Sequence, residues 1–273
     1  MKRKPVNNFS NKNNQKFPKK RPYTGDKNIS KKMKTVLVQP HPKFKDIYVG
    51  RNKEDVLLTK NMNPGVSVYN EKRVSVKSGQ EIIEYRTWNC YRSKLAAGIV
   101  SGLDNIYIKK GTTVLYLGAA NGTTVSHVSD IVGEESLLYS VEFSKRTGSD
   151  LISLAMTRKN IVPIIADARR PQDYRMIVPM VDVIFSDVSQ PDQTKIVMDN
   201  ARYFLKDGGK ILISIKASSV DSSVPAEKVF TNEVNWLRKH DFKPKELVTI
   251  EPFEKNHAII TGSYKPTNKT SYQ

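Results

Sequence analysis

An alternation of apolar and helix-like segments over residues 111–263 constrains the fold more than any other feature of this chain. Seven apolar, β-prone runs lie there: Val114–Gly118, Leu137–Phe143, Ile161–Ala166, Val181–Ser186, Gly209–Ile215, Glu246–Ile250 and Ala258–Ser263. Helix-like segments separate most of them, at roughly 123–133, 147–159, 192–206 and 225–240. Continuous apolar strands between helices are typical of a sheet buried on both faces. The pattern predicts an α/β, Rossmann-like fold with a mostly parallel seven-stranded sheet. The short link between the last two runs predicts an antiparallel pair at its edge.

A second group of β-prone runs precedes this region and predicts a small antiparallel sheet. These runs are Thr35–Gln39, Ile47–Val49, Val56–Thr59, Arg73–Lys77 and Ile82–Thr87. Turn residues such as Asn63-Pro64-Gly65 break them, and a helix is predicted over Ser93–Leu103. The predicted division is a disordered basic leader (1–34), a small antiparallel β domain (35–90), a Rossmann-like domain (91–266) and a flexible tail (267–273).

The net charge of +18 is concentrated at the amino terminus. Residues 1–45 contain 14 of the 45 lysines and arginines but one of the 27 acids, so they carry +13 and the remainder +5. Residues 1–34 are rich in Lys and Asn and too polar to bury a core, which predicts disorder. The asymmetry alone favours a polyanionic partner, either nucleic acid or an anionic membrane surface. Because nothing in the rest of the sequence suggests a membrane anchor, we expect nucleic acid and no membrane.

Several classes of protein are disfavoured by what the sequence lacks. No apolar run approaches the roughly 20 residues of a membrane span, and the basic leader has no apolar segment of a secretory signal. One cysteine excludes an intramolecular disulfide framework and makes a reducing compartment the default. Four scattered histidines give no zinc-ligand spacing, so no metal site is predicted.

The first run of the large sheet ends in a turn of small residues, Gly118-Ala119-Ala120-Asn121-Gly122-Thr123-Thr124. Ligands of open α/β sheets bind beyond the carboxyl ends of the strands, and small residues allow backbone and ligand to approach closely. The G-x-x-x-G spacing matches the dinucleotide fingerprint poorly. The alternative interpretation is a tight strand–helix turn without a ligand.

Acidic residues end the next three strands: Glu142 before Phe143, Asp167 before Ala168, and Asp187 before Val188-Ser189-Gln190. Glu142 lies 24 residues after Gly118, where an acid can accept hydrogen bonds from ribose hydroxyls. Phe143 can lie against an adenine ring, and Asp167 can accept from an adenine amino group. Three such acids predict an adenosine-bearing cofactor without a pyrophosphate, S-adenosyl-L-methionine. Its predicted contacts are Gly118, Ala119, Thr123, Thr124, Glu142, Phe143, Asp167, Ala168, Asp187, Val188, Ser189 and Gln190.

Five sequence blocks between about residues 36 and 266 together match one known family. The blocks are Tyr91–Ala97, Tyr116–Asp130, Val181–Thr194, Ile213–Ala217 and Asn256–Ala258. They resemble the motifs of the fibrillarin family, the RNA ribose 2′-O-methyltransferases of box C/D ribonucleoproteins. The resemblance implies guide-directed methylation of ribosomal RNA and a role in its processing. It also implies partners: a box C/D guide RNA, the ribosomal RNA substrate, a Nop56/58-type scaffold protein and, through it, a kink-turn-binding protein.

The resemblance further implies a catalytic tetrad of Lys94, Asp187, Lys216 and His257. Methyl transfer to a ribose hydroxyl requires alignment of the oxygen and removal of its proton. Lys216 follows a buried strand, and burial near a second cation such as Lys94 favours the neutral amine of a lysine base. Lys94 could also stabilise charge on the oxygen, Asp187 could orient Lys216 or the ribose, and His257 could position the target or relay a proton.

Two features depart from the family pattern. The leader is Lys/Asn-rich instead of Gly/Arg-rich, and Cys90-Tyr91 stand where the family commonly has Pro-Phe. The first departure weakens the argument for a nucleolar location that rests on the leader. The resemblance itself implies the nucleus and nucleolus for a eukaryotic chain and the cytoplasm for an archaeal one.

Alternative functions stay open at the level of the sequence. Methylation of a histone glutamine is known among eukaryotic relatives and is an additional expectation. Methylation of another nucleic-acid atom is disfavoured, because Asp187-Val188-Ser189-Gln190 is not the Asn/Asp-Pro-Pro-aromatic loop common in base N-methyltransferases. A non-catalytic RNA-binding scaffold that keeps the methyltransferase fold would be expected to lose tetrad residues, and all four are present.

Overall fold

The seven apolar runs form one sheet with the strand order β11-β12-β10-β9-β6-β7-β8 in the computed structural model, which describes residues 37–51 and 55–266. The predictions for the leader (1–34) and the tail (267–273) concern residues outside this range. The strands of this sheet are β6 (Val114–Leu117), β7 (Leu138–Glu142), β8 (Ile161–Ile165), β9 (Val181–Ser186), β10 (Leu205–Lys216), β11 (Phe242–Thr249) and β12 (His257–Tyr264). The helices are α1 (Lys94–Val100), α2 (Thr123–Val132), α3 (Lys145–Thr157), α4 (Gln193–Phe204), α5 (Ala217–Val220) and α6 (Ala226–Lys239).

The pairing of these strands confirms the predicted fold class. Strands β6 to β10 pair in parallel, whereas β12 is antiparallel to both of its neighbours, β10 and β11. The predicted antiparallel pair therefore occupies one edge, with the reversed strand β12 inside and β11 outermost. Strand β6 lies between β7 and β9, so the strand order reverses there and the carboxyl end of β6 is the switch point of the sheet.

The sheet is buried because its two faces pack against different helices. Every residue of β6 and of β12 is buried. One apolar core contains Val125 of α2 and Leu151 of α3, and a second contains Ile196 of α4 and Phe230 of α6. Apolar side chains on both faces of each strand are what produced the continuous apolar runs in the sequence.

The boundary between α4 and β10 differs from the sequence prediction. The helix expected over 192–206 ends at Phe204, and β10 begins at once with Leu205. Leu205 pairs with Val181, and the register then shifts before Lys210 pairs with Val183. The intervening Lys206-Asp207-Gly208-Gly209 resembles a turn in the sequence, but it is an irregular stretch within a strand, with Gly208 at a φ of +75°.

The small antiparallel sheet is also present, in the order β1-β2-β3-β5-β4. Its strands are β1 (Leu37–Pro40), β2 (Ile47–Arg51), β3 (Val56–Lys60), β4 (Arg73–Ser78) and β5 (Glu81–Thr87). Both sheets belong to one compact unit. In the described residues, no helix is long and apolar enough to cross a bilayer.

A buried ionic cluster joins the small sheet to the large one. The Arg86 guanidinium, fully buried on β5, donates to Glu71 at 2.6 Å and to Asp130 of α2 at 2.8 Å. Arg158, after α3, donates to the other oxygen of Asp130, and the Asp130 carboxylate is fully buried. Because one carboxylate faces two guanidinium groups, its removal would leave Arg158 without a carboxylate partner and Arg86 with Glu71 alone.

A buried histidine, His127, lies in the same interface. Its Nδ1 lies 2.7 Å from Thr59 Oγ1, and its Nε2 lies 2.7 Å from the Tyr69 hydroxyl. Thr59 donates its own proton to Asp130, so the Nδ1–H of His127 donates to Thr59 Oγ1. Burial and the nearby Arg86 and Arg158 hold the pKa of His127 well below its usual value. The histidine is therefore neutral and structural.

Candidate active site

The carboxyl ends of β6, β7, β8 and β9 surround a cavity of about 390 Å³. Nine predicted cofactor contacts line it: Gly118, Glu142, Phe143, Asp167, Ala168, Asp187, Val188, Ser189 and Gln190. Ala120, Ser144, Arg169 and Ile196 also line it, with Val141 and Ala166 from the strands. Residues that follow four different strands, in four separate parts of the sequence, thus meet at one cavity.

Gly118 forms the tightest point of this cavity. Its φ is +82°, and a Cβ atom there would lie 2.8 Å from the carbonyl oxygen of Asp187. The Asp187 N–H donates to the Leu117 carbonyl at 2.9 Å, which holds the ends of β9 and β6 together. Both the backbone conformation and the close approach therefore require glycine.

The Glu142 carboxylate is fixed by three donors. Its Oε2 accepts from the Ala120 N–H at 2.7 Å. Its Oε1 accepts from the Ser144 N–H at 2.8 Å and from the Thr147 hydroxyl at 3.0 Å. A carboxylate held in this way at the cavity wall is a preorganised acceptor for ligand hydroxyls.

Three other predicted contacts do not line the cavity. Ala119 is 4% exposed within the apolar core, and the Thr123 hydroxyl donates to Asn121. The Thr124 hydroxyl donates to the Ser93 hydroxyl at 3.0 Å. Ser93 Oγ also accepts from the Ala96 N–H and caps α1, so Thr124 supports the residue that precedes Lys94. Cofactor contact by these three residues stays a prediction.

An ion pair connects two members of the predicted tetrad. The Lys94 Nζ lies 2.7 Å from Asp187 Oδ1, and the two side chains are 22% and 17% exposed. Burial raises the pKa of Asp187, while the positive charge of Lys94 and, whenever its ring is protonated, that of His257 act in the opposite direction. His257 is therefore close enough to the pair to influence the charge of Asp187.

The remaining two members of the tetrad lie side by side. Lys216, the last residue of β10, pairs directly with His257, the first residue of β12. Directly opposite side chains of antiparallel strands share one face of the sheet. The His257 Nδ1 lies 2.8 Å from the Lys255 carbonyl, which can only accept, so Nδ1 carries the proton. Its Nε2 lone pair is then available to accept a hydrogen bond from a substrate.

Comparison with known proteins decides which family this site belongs to. A family model described as fibrillarin matches residues 38–266. The chain belongs to the fibrillarin family. The rRNA 2′-O-methyltransferase fibrillarin of Encephalitozoon cuniculi is 64% identical over 230 residues, which is 84% of this chain and 79% of that protein.

Solved fibrillarin structures agree with this assignment. Aeropyrum pernix fibrillarin, crystallised with natively bound S-adenosyl-L-methionine, has a TM-score of 0.76 and 41% identity, over 83% of this chain and 98% of the other. A fibrillarin/Nop5p complex has a TM-score of 0.71 and 38% identity, over 81% and 98%. The family predicted from five sequence blocks is therefore confirmed.

Arg169 lines this fibrillarin-family site but is not among the contacts predicted from the sequence. The Arg169 Nη2 donates to Gln190 Oε1 at 2.7 Å, and its Nε lies 3.3 Å from Asp192 Oδ2. Its backbone N–H donates to Asp167 at 2.9 Å. The side chain thus links the loops after β8 and β9 beside the cavity. Asp192 occupies the N-cap position of α4 but makes no side-chain capping bond. A basic residue two positions after a strand-end acid is the only sequence signal for Arg169.

The donors and acceptors of this fibrillarin-family cavity suit an adenosine-bearing group. Glu142 presents a fixed carboxylate, and Asp167 adds a second one at the next strand end. The Phe143 ring is 74% exposed, so a flat face is available to a ligand. The turn at Gly118 allows a ligand to approach the backbone closely. Its G-x-x-x-G spacing is not the spacing of a loop that binds a pyrophosphate.

Proposed function

We propose that this chain methylates ribose 2′-hydroxyl groups of ribosomal RNA with S-adenosyl-L-methionine, as the catalytic subunit of a guide-RNA-directed box C/D ribonucleoprotein. The observation that carries this proposal is the Lys94–Asp187 ion pair at the strand-end cavity, with His257, the cross-strand partner of Lys216, near enough to act on the pKa of Asp187. The names of the Encephalitozoon cuniculi and Aeropyrum pernix relatives support both the reaction and the cofactor.

The cavity residues divide between the parts of the cofactor. Glu142 accepts hydrogen bonds from the ribose hydroxyls, Phe143 lies against the adenine ring, and Asp167 accepts from the adenine amino group. Gly118 allows close approach of the backbone. When bound, the cofactor supplies an electrophilic methyl group on a sulfonium.

The tetrad residues act on the RNA oxygen. Lys216 is the general base that takes the proton from the 2′-hydroxyl, and His257 positions the target nucleotide or relays that proton. Asp187 fixes the Lys94 ammonium at 2.7 Å, and Lys94 stabilises negative charge that develops on the oxygen. Each role depends on placement, because an in-line displacement tolerates little misalignment.

The proposed assembly follows from the relatives. The fibrillarin/Nop5p complex supports a Nop56/58-type scaffold as the direct partner, and through it a kink-turn-binding protein and the guide RNA. The 64% identity to a eukaryotic relative supports a nucleolar location. Methylation of a histone glutamine stays a prediction from the family resemblance.

A 2′-deoxy substrate tests the acceptor atom directly. The reconstituted particle receives isotopically labelled S-adenosyl-L-methionine and one of two target RNAs, which differ only in the 2′-hydroxyl of the guided nucleotide. Label should enter the ribose target and not the 2′-deoxy target. Equal labelling of both would contradict ribose methylation, and lack of cofactor binding in calorimetry would favour a non-catalytic scaffold.

A further inference from the structure

A second cavity lies at the other end of the large sheet. Its volume is about 410 Å³. It is lined by the amino-terminal ends of β9 and β10 and by the loop before β6: Asn105, Tyr107, Lys109, Thr112, Asp182, Val183, Lys206, Asp207, Gly208, Gly209 and Lys210. The cofactor cavity lies at the carboxyl ends of the same parallel strands. Along β9 the nearest lining residues of the two cavities, Val183 and Asp187, are separated by about 13 Å at about 3.3 Å per residue.

Two lysines approach the ring of Tyr107: Lys210 lines the cavity with Tyr107, and Lys245 lies beside it. The Lys210 Nζ lies 5.9 Å and the Lys245 Nζ lies 5.5 Å from the centroid of the Tyr107 ring. Lys210 also donates to the Gly208 carbonyl at 2.7 Å, so its ammonium is held in place. Neither lysine lies within 4.0 Å of a carboxylate oxygen in the residues that the structure describes.

The like charges in this cluster are not balanced locally. Partial burial lowers the pKa of Lys210, and the positive charges of Lys245 and Lys265 lower it further. Of the two acids that line the cavity, Asp182 already accepts from Lys206 at 2.7 Å and from the Thr113 N–H at 2.9 Å. The second acid, Asp207, is exposed on the irregular stretch of β10. An anion placed among the lysines would relieve their mutual repulsion.

We propose that this cavity binds a phosphate group of an RNA strand. Lys210 and Lys245 supply the charges, because an ammonium is a compact donor to phosphate oxygens. Tyr107 supplies a ring on which the adjoining base or ribose can rest. The choice of RNA over another polyanion rests on the proposed function. The distance from the tetrad makes this contact an anchor for the RNA and gives it no part in catalysis.

Paired charge variants of the full chain test the anchor. The test pair is Lys210→Gln with Lys245→Gln, and the control pair is Lys159→Gln with Lys228→Gln, two exposed lysines outside both cavities. Both pairs remove two charges. The probe is a 12-nucleotide single-stranded RNA, and fluorescence anisotropy measures its affinity from low to moderate salt. The test pair should lower the slope of log affinity against log salt by about 0.7, the contribution of one phosphate contact on a single strand. The control pair should leave the slope unchanged.

Photo-crosslinking locates the RNA contact, and competition distinguishes RNA from another phosphate-bearing partner. A 4-thiouridine version of the probe should crosslink to a peptide that contains Tyr107, and the test pair should lose that crosslink. Equal salt slopes for both pairs, or a crosslink that avoids Tyr107 and Lys210, would overturn the site. A phosphoserine peptide and unlabelled RNA are then compared as competitors. If the phosphoserine peptide displaces the probe from the Tyr107 segment at the lower concentration, the choice of RNA is overturned. Calorimetry with S-adenosyl-L-methionine should give wild-type affinity for the test pair, so failure of the anchor is distinguishable from failure of the proposed enzyme.

Discussion

The Lys94 ammonium contacts the Asp187 carboxylate at 2.7 Å, and this contact joins the first residue of α1 to the residue that follows β9. The pair lies beside the cofactor cavity, which Asp187 itself lines. Ser93 and Thr124 hold the start of α1 from the other side through a 3.0 Å hydrogen bond. The position of Lys94 is therefore set by Asp187, which lines the cavity, and by the start of α2.

A double-mutant cycle should reveal strong coupling within this pair. We expect Asp187→Asn and Lys94→Met each to lower the single-turnover rate of guided methylation by about 100-fold, the low end for loss of a positioned catalytic group. The double variant should be little slower than either single one, because each change disables the same pair. Fully multiplicative losses would show that the two side chains act independently.

Two glycine-to-alanine variants separate backbone strain from close contact at the cofactor turn. Gly118 and Gly111 have φ values of +82° and +85°, but only Gly118 has neighbours within 4 Å of a Cβ atom. Both variants should lose about 1–3 kcal/mol of unfolding free energy through strain. Only Gly118→Ala should also weaken S-adenosyl-L-methionine binding, by at least ~10-fold, in calorimetry. Equal cofactor affinities would contradict the role given to the close approach at Asp187.

The buried ionic cluster should contribute far more to stability than an exposed ion pair. Asp130→Asn leaves Arg86 and Arg158 without their shared carboxylate and should cost about 3–5 kcal/mol. Asp199→Asn breaks the exposed Lys195–Asp199 pair and should cost about 0–1 kcal/mol. Denaturant unfolding of both variants measures the difference. Similar costs would mean that the cluster is not a principal link between the two sheets.

Mild acid should destabilise the protein through His127. Because the folded-state pKa of His127 is held well below its unfolded value of about 6.5, the unfolded chain binds more protons as pH falls below 6.5. The stability from neutral His127 is present above that value and is lost on acidification, by at most about 1.4 kcal/mol per pH unit. The free energy of unfolding of wild type should fall more steeply between pH 6.5 and 5 than that of His127→Gln. Parallel pH profiles would show that His127 takes up no proton on unfolding.

The fold is predictable from the sequence where a single physical rule applies. Parallel strands buried on both faces require long apolar runs, and these runs alone locate β6 to β10 and their helices. The ionic cluster is not predictable in this way, because Arg86, Asp130 and Arg158 resemble surface charges in a sequence, and only the packing of the small sheet buries them. The sequence assigns no chemistry to His127, and its place in a buried hydrogen-bond network agrees with that.

The candidate site is likewise predictable from the sequence only in part. Acids at strand ends are predicted to meet, and Glu142, Asp167 and Asp187 do line one cavity. The Lys94–Asp187 contact and the bridge by Arg169 depend on loop conformations that leave no periodic signal in the sequence. The tetrad comes from the family resemblance, since lysine at a strand end is by itself an ordinary surface residue.

Removal of the proposed base is the most direct test of the account. Single-turnover methylation of a guided RNA should be measured for wild type, Lys216→Ala and the surface control Lys228→Ala in the reconstituted particle. Lys216→Ala should lower the rate by about 10²–10⁴-fold with unchanged affinity for S-adenosyl-L-methionine, and the control should match wild type. Near-wild-type methylation by Lys216→Ala would contradict the assignment of the base and the chemistry built on the tetrad.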